Sequence, residues 1–339
     1  MVSVSSQAEH ETRVSLPEEW LGDAVRLQEE FCREIRKADP REVVLALAAG
    51  SNTGYKLIKP YLPKYPTPRI LEMGTGLGFD LCYLRKLGLN AQGIEPGSSP
   101  GFEGRYEMAI KLLEANGIAD ARQVLLPAFG EALPFADATF DIVYSVAVLE
   151  HVSDIEKFLT EAQRVVRPGG VVIMHVPNYN SFHEDHYDIL WLPYLLRSKR
   201  VAKWYVRTLF RRRDWFIDEL HFTTPGYFGE LSSRVISLRG MQVHLGHDFS
   251  FPILGRFFRR ATETYYFFRD DFAADHMRLK HKILMRVGRL AQRSAEFLRM
   301  PPLSFKLIWE APCEDSRGAK TRGDISQDRR INDDLRVAL

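Results

Sequence analysis

The chain has 339 residues, of which 45% are hydrophobic and 27% are charged, and its formal net charge is +2. This is the composition of a globular protein, and the near balance of charges argues against nucleic acid as a partner of the whole molecule. The three cysteines, Cys32, Cys82 and Cys313, lack the paired spacing of a zinc site or a disulfide framework, which favours a reducing, cytoplasmic location.

The region before residue 69 is predicted to be mainly helical. Residues 1–15 are polar and are predicted to be disordered, and they lack the basic start and apolar core of a signal peptide. Residues 16–68 form a predicted N-terminal helical segment, in which Trp20, Ala24 and Leu27 recur at helical spacing. No run in the chain approaches the ~20 apolar residues that a transmembrane helix needs.

From residue 69 onward, apolar strand patterns alternate with amphipathic helix patterns. The predicted strands cover residues 69–73, 91–95, 122–126, 140–146, 171–176, 241–246 and 303–310. The predicted helices cover residues 79–88, 104–117, 154–166 and 224–235. Strands that alternate with helices form a mostly parallel sheet with helices on both faces, so this pattern predicts a doubly wound α/β fold.

Two segments interrupt this alternation within a predicted domain at residues 69–311. Residues 178–222 are rich in Trp, Tyr, His and Arg and are interpreted as a cap. Residues 250–300 are interpreted as a helical insertion. The residues at helical spacing in this insertion are Ile283, Val287, Leu290, Ser294 and Phe297. The charged residues 312–339 are predicted to form a disordered tail.

A glycine-rich turn, EMGTGLG at residues 72–78, follows the first predicted strand. Glycine has no side chain, so the backbone of such a turn can approach a ligand closely. A dinucleotide-binding fingerprint has glycines spaced G-x-G-x-x-G, but Phe79 occupies the position of the third glycine. Glu95, at the end of the second strand, can accept two hydrogen bonds from ribose hydroxyls. The turn and Glu95 predict a nucleotide-containing ligand, and a nicotinamide cofactor remains an alternative at this point.

Residues 130–178 supply further motifs, namely the EALPF loop, the FDIV strand, the LEHV turn and the RPGG turn before the fifth strand. Together with the E-x-G-x-G-x-G turn, they resemble class I S-adenosylmethionine-dependent methyltransferases of the methyltransferase type 11 kind, with distant similarity to ubiquinone-type O-methyltransferases. The resemblance covers residues 69–178. It implies a Rossmann-like, mostly parallel seven-stranded sheet with helical cap insertions. It also implies S-adenosylmethionine as the cofactor and S-adenosylhomocysteine as the product.

The resemblance implies roles for individual residues of the cofactor site. The glycine turn lies against the methionine moiety, Glu72 lies near its amino end, and Glu95 binds the ribose. Phe129 stands where relatives carry an Asp or Asn for the adenine, so Gly130 and Glu131 are alternative adenine contacts. Phe129 itself either packs on the adenine or belongs to the core. The implied cofactor-binding residues are Glu72, Gly74, Thr75, Gly76, Gly78, Glu95, Pro96, Phe129, Gly130, Glu131 and Ser145.

Methylation of an oxygen or nitrogen requires the loss of a proton, and histidine is the usual base near neutral pH. The candidate catalytic residues are His151, His183, His186 and His221. For His151 the alternative is that it only stabilises its turn together with Glu150, and for the H-x-x-H pair the alternative is a solvated loop. In ubiquinone-type O-methyltransferases a similar turn carries two glutamates and a histidine that can hold a metal. Ala147 stands in place of the first glutamate, so no metal is expected.

Two stretches outside these motifs bear on the methyl acceptor. Residues 197–213 contain eight basic residues, and residues 251–272 are dense in Phe and Tyr. The alternatives are an anionic or apolar acceptor, a peripheral membrane contact, a homodimer contact, or a helical subdomain without a binding role. RNA binding through the basic and aromatic residues is a further alternative, which the near balance of charges disfavours. We expect a methyltransferase that modifies an oxygen of a small-molecule or lipid-like acceptor. The alternative functions are a nicotinamide-dependent oxidoreductase and a non-catalytic binding module that retains the fold.

Overall fold

The computed structural model describes residues 14–97, 103–246 and 279–312. The disorder that is predicted for both ends therefore concerns residues that lie almost entirely outside the described part of the chain. The aromatic stretch 251–272 and most of the predicted helical insertion also lie outside it. Among the residues described, no helix combines the length and the apolarity that are needed to cross a membrane.

A seven-stranded sheet forms the centre of the structure. Including a separate pair of short strands, the strands of the described residues are β1 (Arg69–Met73), β2 (Asn90–Ile94), β3 (Leu125–Leu126), β4 (Phe140–Val146), β5 (Val166–Pro177), β6 (His183–Glu184), β7 (Ile189–Leu190), β8 (Gln242–Leu245) and β9 (Ser304–Glu310). The sheet order is β3–β2–β1–β4–β5–β9–β8, and β6 and β7 form a separate pair. Strands β1 to β5 pair in parallel, whereas β9 runs antiparallel to β5 and β8.

Helices cover both faces of this sheet. The α-helices of the described residues are α1 (Glu18–Glu30), α2 (Pro40–Ala49), α3 (Thr53–Ile58), α4 (Phe79–Lys86), α5 (Arg105–Ala115), α6 (Ala121–Val124), α7 (Ile155–Val165), α8 (Lys199–Leu209), α9 (Pro225–Arg234) and α10 (Leu279–Phe297). A π-helical turn, Phe31–Arg36, continues α1. This arrangement confirms the Rossmann-like, doubly wound α/β fold.

Two apolar cores lie on opposite faces of the sheet. Successive residues of a strand point to opposite faces, so Ile70 joins one core and Leu71 joins the other. The core around Ile70 includes Trp20 of α1 and Leu113 of α5. The core around Leu71 includes Phe158 of α7. The N-terminal helices therefore belong to the packing of the domain, and each fully buried apolar side chain contributes about 1.5–3 kcal/mol.

The third strand is shorter than its sequence pattern predicts. Residues 121–124 form the helix α6, and only Leu125 and Leu126 pair with β2. The backbone N–H groups of Gln123 and Val124 donate to the Asp120 carbonyl oxygen at 2.8 and 3.0 Å. Since β3 lies at the edge of the sheet and pairs with one strand only, these local hydrogen bonds replace the ladder hydrogen bonds of a longer strand.

The cap has a small core of its own. Its buried apolar side chains are Tyr179, Tyr187, Ile189, Trp191, Leu196, Ala202, Tyr205, Val206, Phe216, Ile217 and Leu220. Ile35, from the π-helical turn after α1, packs into the same core. The Tyr205 hydroxyl donates to the Leu190 carbonyl oxygen at 2.8 Å, which ties α8 to the β6–β7 pair. This hydrogen bond is internal to the cap, and Ile35 attaches the cap core to the N-terminal segment.

Helix α10 lies where helical spacing predicts it, but it presents a different face to the protein. Ile283, Leu290 and Phe297 are exposed, whereas Ala291 and Ala295 are buried. The helix therefore packs against the domain through its small residues, which permit a close approach between elements. The spacing of the apolar residues predicts the helix correctly, but it does not predict which face of the helix is buried.

Candidate active site

A cavity of about 750 Å³ lies at the carboxyl ends of β1, β2 and β4. Ligands of open α/β sheets bind at this edge. The cavity wall combines the glycine turn, the residues that follow β2 and β4, the N-terminal helices and the end of the cap. The residues of this wall that the sequence predicts as site residues are Glu72, Gly74, Thr75, Gly76, Glu95, Pro96, Phe129, Gly130, Glu131, His151 and His221.

The three glycines of the turn adopt positive φ angles of 83°, 59° and 91° at Gly74, Gly76 and Gly78. A Cβ at Gly74 would lie 2.6 Å from Val148 Cγ2, and one at Gly78 would lie 3.0 Å from Ala109 Cβ. A Cβ at Gly76 would meet no atom within 4 Å. Gly74 and Gly78 are therefore required for packing, whereas Gly76 presents bare backbone to the cavity. Gly78 itself does not line the cavity.

Glu95 lies directly beside this turn. Its side chain is buried, and its Oε2 accepts a hydrogen bond from the Gly76 N–H at 2.8 Å. Burial raises the pKa of the Glu95 carboxyl, while the Arg105 cation and the Gly76 N–H act in the opposite direction. Because Glu95 also lines the cavity, its carboxylate can accept hydrogen bonds from a ligand there.

Two more carboxyl groups lie deeper in the cavity. Glu72 is buried, and its Oε2 has no hydrogen-bond partner among the described residues. Asp80 Oδ1 accepts from the Gly54 N–H at 2.7 Å. Burial and the nearby Asp80 charge raise the pKa of Glu72 well above its usual value, and burial raises the pKa of Asp80 to about 7. A cationic group of a ligand would stabilise both carboxylates.

Asp80 is a residue that the sequence analysis did not select. It stands in the first turn of α4, two residues after Gly78, where an acidic side chain is usually a response to the helix dipole. Only the folded chain shows that it shares the cavity with Glu72. The acidic residue immediately after the glycine turn was the available signal.

Phe129, Gly130 and Glu131 form another part of the wall. The Phe129 side chain is 51% exposed, which contradicts the alternative that it belongs to the core. A Cβ at Gly130 would lie 2.2 Å from Phe158, so only glycine fits there. Glu131 Oε1 accepts from the N–H and the hydroxyl of Ser153, both at 2.8 Å, and so holds the turn before α7. Phe129 is therefore available for stacking on a flat ligand group.

Ser145 does not reach the cavity, in contrast to its predicted role in cofactor binding. Its side chain is fully buried, and its hydroxyl contacts Met174 Sδ at 2.9 Å, towards the neighbouring strand β5. The next residue, Val146, lines the cavity instead. The resemblance places a residue near the end of β4, but the exact register of that strand decides which side chain faces the ligand.

Two of the candidate catalytic histidines contact each other. His151 Nε2 lies 3.1 Å from His186 Nε2, and His186 Nδ1 lies 2.7 Å from Glu184 Oε1. Burial and the His186 charge lower the pKa of His151 well below its usual value. Burial also opposes protonation of His186, but the Glu184 carboxylate outweighs it and raises the pKa of His186. His151 lines the cavity, whereas His186 lies behind it.

The other two candidate histidines lie in different surroundings. His221 lines the cavity, and its Nε2 lies 2.8 Å from the Val152 carbonyl oxygen. Because a carbonyl can only accept, Nε2 carries the proton and Nδ1 keeps a lone pair. His183 Nε2 instead contacts Asp185 at 3.1 Å and Asp188 at 3.5 Å, and it lines a small separate pocket. The prediction that His183 serves in catalysis is therefore not supported by its position.

The N-terminal helices contribute a wall that no motif indicated. Gln28 of α1, Leu47 of α2 and Thr53 of α3 all line the cavity. Arg105 of α5 also lines it, close enough to Glu95 to affect the carboxyl pKa. These residues come from helices far apart in the sequence, so only the tertiary structure reveals that they share one site.

The fold and the cavity together define a nucleotide-binding α/β domain with an acidic glycine turn and a carboxylate after β2. Residues 71–174 match the family model that is described as a methyltransferase domain. The chain therefore carries a methyltransferase domain of the class that uses S-adenosylmethionine as its cofactor.

Parts of the chain are similar to several known proteins. A ubiquinone biosynthesis O-methyltransferase of Rhizobium johnstonii is 33% identical over 111 residues, which cover 32% of this chain and 41% of the relative. The sterol 4-C-methyltransferase strm-1 of Caenorhabditis elegans is 27% identical over 124 residues, which cover 35% of each chain. A solved phosphoethanolamine N-methyltransferase 2 of Haemonchus contortus covers 78% of this chain and 53% of its own, at 15% identity and a TM-score of 0.44. The chain spans a half or less of the curated relatives named here.

Proposed function

We propose that the protein transfers the methyl group of S-adenosylmethionine to an oxygen of a small-molecule or lipid-like acceptor. The observation that carries this proposal is the single cavity that joins the glycine turn and Glu95 to His151 and His221. This cavity of about 750 Å³ extends beyond the turn to the N-terminal helices, where Leu47 supplies apolar wall, and Val148 supplies further apolar wall after β4. One end is thus suited to the cofactor and the other to an acceptor.

The cofactor end is assigned from the charges and the open backbone. Glu95 accepts hydrogen bonds from the two ribose hydroxyls, and the bare backbone at Gly76 permits close contact with the cofactor. The ammonium group of the methionine moiety lies towards Glu72 and Asp80, whose buried carboxylates a cation stabilises. Phe129 packs on the adenine, and Pro96 and Gly130 line the same part of the wall.

The reaction is an in-line displacement. An acceptor oxygen forms a bond to the methyl carbon while the carbon–sulfur bond breaks, and the electron pair stays on sulfur in S-adenosylhomocysteine. The hydroxyl proton moves to His221 Nδ1, whose lone pair is kept available by the bond from Nε2 to Val152. His151 forms the adjoining wall. The main contribution of the cavity is to hold the acceptor behind the methyl group.

The names of two relatives support a lipid-like acceptor. One is named as a sterol 4-C-methyltransferase and the other for ubiquinone biosynthesis. The sulfonium chemistry is common to carbon, nitrogen and oxygen acceptors. The oxygen acceptor is favoured by the His221 imidazole in the cavity wall, since a hydroxyl must lose a proton during the transfer.

The test is methyl transfer from labelled S-adenosylmethionine in an extract of the cell that produces the protein. We expect label in an organic-soluble product that contains a new O-methyl group. Leu47→Glu should reduce transfer, because a charge would enter the acceptor wall, whereas Leu45→Glu should not, because Leu45 is exposed on the same helix outside the cavity. A labelled amine, or transfer that both variants retain equally, would contradict the assigned acceptor site.

We also infer a peripheral contact with an anionic membrane through a surface on and before α8. Its exposed apolar side chains are Tyr194, Leu195, Trp204 and Leu209. Arg200 and Arg207 each stand about one helical turn from Trp204, on the side of α8 that carries this tryptophan. Aromatic and basic side chains on one helix face are suited to the headgroup region of a membrane. The cytoplasmic location and the homodimer contact stay predictions.

A further inference from the structure

A compact group of metal-ligand side chains lies between the methyltransferase domain and its cap. Glu150, His151 and His186 each offer one donor atom, and these three atoms all lie within 4.8 Å of one another. The two Nε2 atoms are 3.1 Å apart, and Glu150 Oε1 lies 3.8 Å from His151 Nε2. Donors of a tetrahedral site with bonds of about 2.1 Å lie about 3.4 Å apart, so this triangle already approaches the required size.

Glu150 supplies the observation that points to a cation. Its side chain is fully buried, and both carboxylate oxygens lack a hydrogen-bond partner among the residues that the structure describes. A buried carboxylate without partners is costly, and a bound cation removes that cost. The nearest donors of the group are the two imidazoles, one of which, His151, is its neighbour in the chain.

The surroundings of His186 have the arrangement that metal-binding histidines use. Its Nδ1 lies 2.7 Å from Glu184 Oε1, which leaves Nε2 as the atom that faces His151. Glu184 is buried and is itself held by the Tyr179 hydroxyl at 3.2 Å and the Tyr187 N–H. A carboxylate behind the distal nitrogen fixes the orientation of a ligand histidine and makes it a stronger donor.

We propose that Glu150, His151 and His186 bind one divalent transition-metal ion of the zinc type. Two imidazole nitrogens and one carboxylate oxygen form a donor set that suits Zn²⁺, and three protein ligands leave a fourth position for water. Glu150 and His151 come from the turn after β4, and His186 comes from the β6–β7 pair of the cap. The ion therefore joins the cap to the domain behind the cavity wall.

This proposal revises the expectation that no metal binds. The expectation rested on Ala147, which stands where a relative would carry a first glutamate. His186 supplies a third donor from a different segment, 35 residues after His151. The proposed site is independent of the acceptor that the enzyme methylates, because it needs only the three donors and the folded cap.

The experiment is a Zn²⁺ titration of chelator-treated protein in competition with a chromophoric chelator. Wild-type protein should bind one Zn²⁺ per chain, and its midpoint of thermal unfolding should rise with Zn²⁺ concentration. Glu150→Gln and His186→Gln should abolish binding of that ion. Glu184→Gln, which removes the carboxylate behind His186 but none of the three donors, should weaken binding about 10- to 100-fold. His244→Ala is the matched control, because His244 is exposed on β8 and contacts Gln242.

Stoichiometric binding that Glu150→Gln or His186→Gln retains at full affinity would overturn the proposal, and so would the absence of binding by wild-type protein. Co²⁺ loaded into wild-type protein provides a measurement that does not depend on the folding of a variant. A tetrahedral visible absorption spectrum with nitrogen and oxygen ligands supports the site, and a spectrum of octahedral aquated ion contradicts it.

Discussion

Glu95 is the residue that we propose connects the glycine turn to a ligand. Its Oε2 is already engaged by the Gly76 N–H, so the carboxylate is oriented before any ligand binds. Burial raises the pKa of the Glu95 carboxyl, and the Arg105 charge and the Gly76 N–H oppose this rise. A carboxylate held at this position is suited to accept hydrogen bonds from two adjacent hydroxyls of a ligand.

We predict that Glu95→Ala reduces the affinity for S-adenosylhomocysteine by at least about tenfold. Two hydrogen bonds to a charged group would be lost, and each contributes about 1.5–3 kcal/mol. The measurement is titration calorimetry at neutral pH. Glu107→Ala is the control, because Glu107 is exposed and pairs with Arg122 outside the cavity. An unchanged affinity of the Glu95 variant would remove the ribose assignment.

A second prediction concerns pH and Asp80. Burial raises the pKa of Asp80 to about 7, so in the unliganded protein this carboxyl is protonated below that pH. Because the ligand ammonium favours the ionised form, affinity for S-adenosylhomocysteine should rise from about pH 6 to about pH 8, by up to about tenfold per unit. Asp80→Asn should flatten this dependence, and the exposed control Asp137→Asn should keep it. A steep profile that survives in Asp80→Asn would contradict the assignment.

Glu95 and Asp80 differ in how far the sequence alone predicts that they line the cavity. Glu95 is predictable because a strand, a glycine turn and a second strand place it within one local unit. The only sequence signal for Asp80 is an acidic residue two positions after the glycine turn, and its importance depends on the nearby Glu72 and on Gly54 from the N-terminal segment. The prediction that Ser145 binds the cofactor is wrong for a related reason, because a shift of one position along a strand reverses the direction in which the side chain points.

At the scale of elements, the glycine turn between β1 and α4 combines packing with ligand access. Gly74 and Gly78 are surrounded by Val148 and Ala109, whereas the position of a Gly76 Cβ is open. All three glycines have a positive φ, but Gly74 and Gly78 are needed for packing and Gly76 leaves space for a ligand. Substitution of each glycine can separate these two roles.

We predict that Gly74→Ala and Gly78→Ala lower the thermal unfolding midpoint more than Gly76→Ala does. The first two add a methyl group against existing atoms, while the third adds only the cost of a left-handed alanine, about 1–2 kcal/mol. Gly76→Ala should nevertheless lose S-adenosylhomocysteine affinity in a folded protein, because its methyl group enters the cavity. Scanning calorimetry and ligand titration of the three variants check this order. Retained affinity in Gly76→Ala would show that the ligand does not approach that backbone.

Element boundaries follow the sequence closely at two central strands, whereas the central strand β5 begins at Val166, five residues before its predicted start. The predicted strands at residues 69–73 and 140–146 agree with β1 and β4 residue for residue. The agreement ends at β3, where an edge position allows a helical turn instead of a strand. It also ends at α10, whose buried face consists of small residues that a hydrophobic period does not select.

At the scale of the whole molecule, the cavity and the histidine group are both assembled from distant segments. The N-terminal helices close one side of the cavity, and the cap brings His186 to His151. Neither contact is visible in a sequence pattern, because each depends on how separate elements pack. The residues proposed for the cofactor lie mostly within one α/β unit, so sequence motifs could select them, whereas the proposed acceptor wall depends on the packing of separate helices.

The proposed membrane contact is also a property of the whole molecule. We predict that the protein sediments with vesicles that contain phosphatidylserine, and that this binding weakens as salt increases. Trp204→Ala combined with Arg200→Gln and Arg207→Gln should abolish it. Arg122→Gln is the control, because Arg122 is an exposed arginine that pairs with Glu107. Equal binding to neutral vesicles, or full binding by the triple variant, would contradict the contact.

The most direct test of the central claim is calorimetric titration of the wild-type protein with S-adenosylhomocysteine and, separately, with NAD⁺. The claim is that the cavity at the carboxyl edge of the sheet holds a methyl donor. We predict that one S-adenosylhomocysteine binds per chain and that NAD⁺ does not bind. Binding of NAD⁺ without binding of S-adenosylhomocysteine would contradict it.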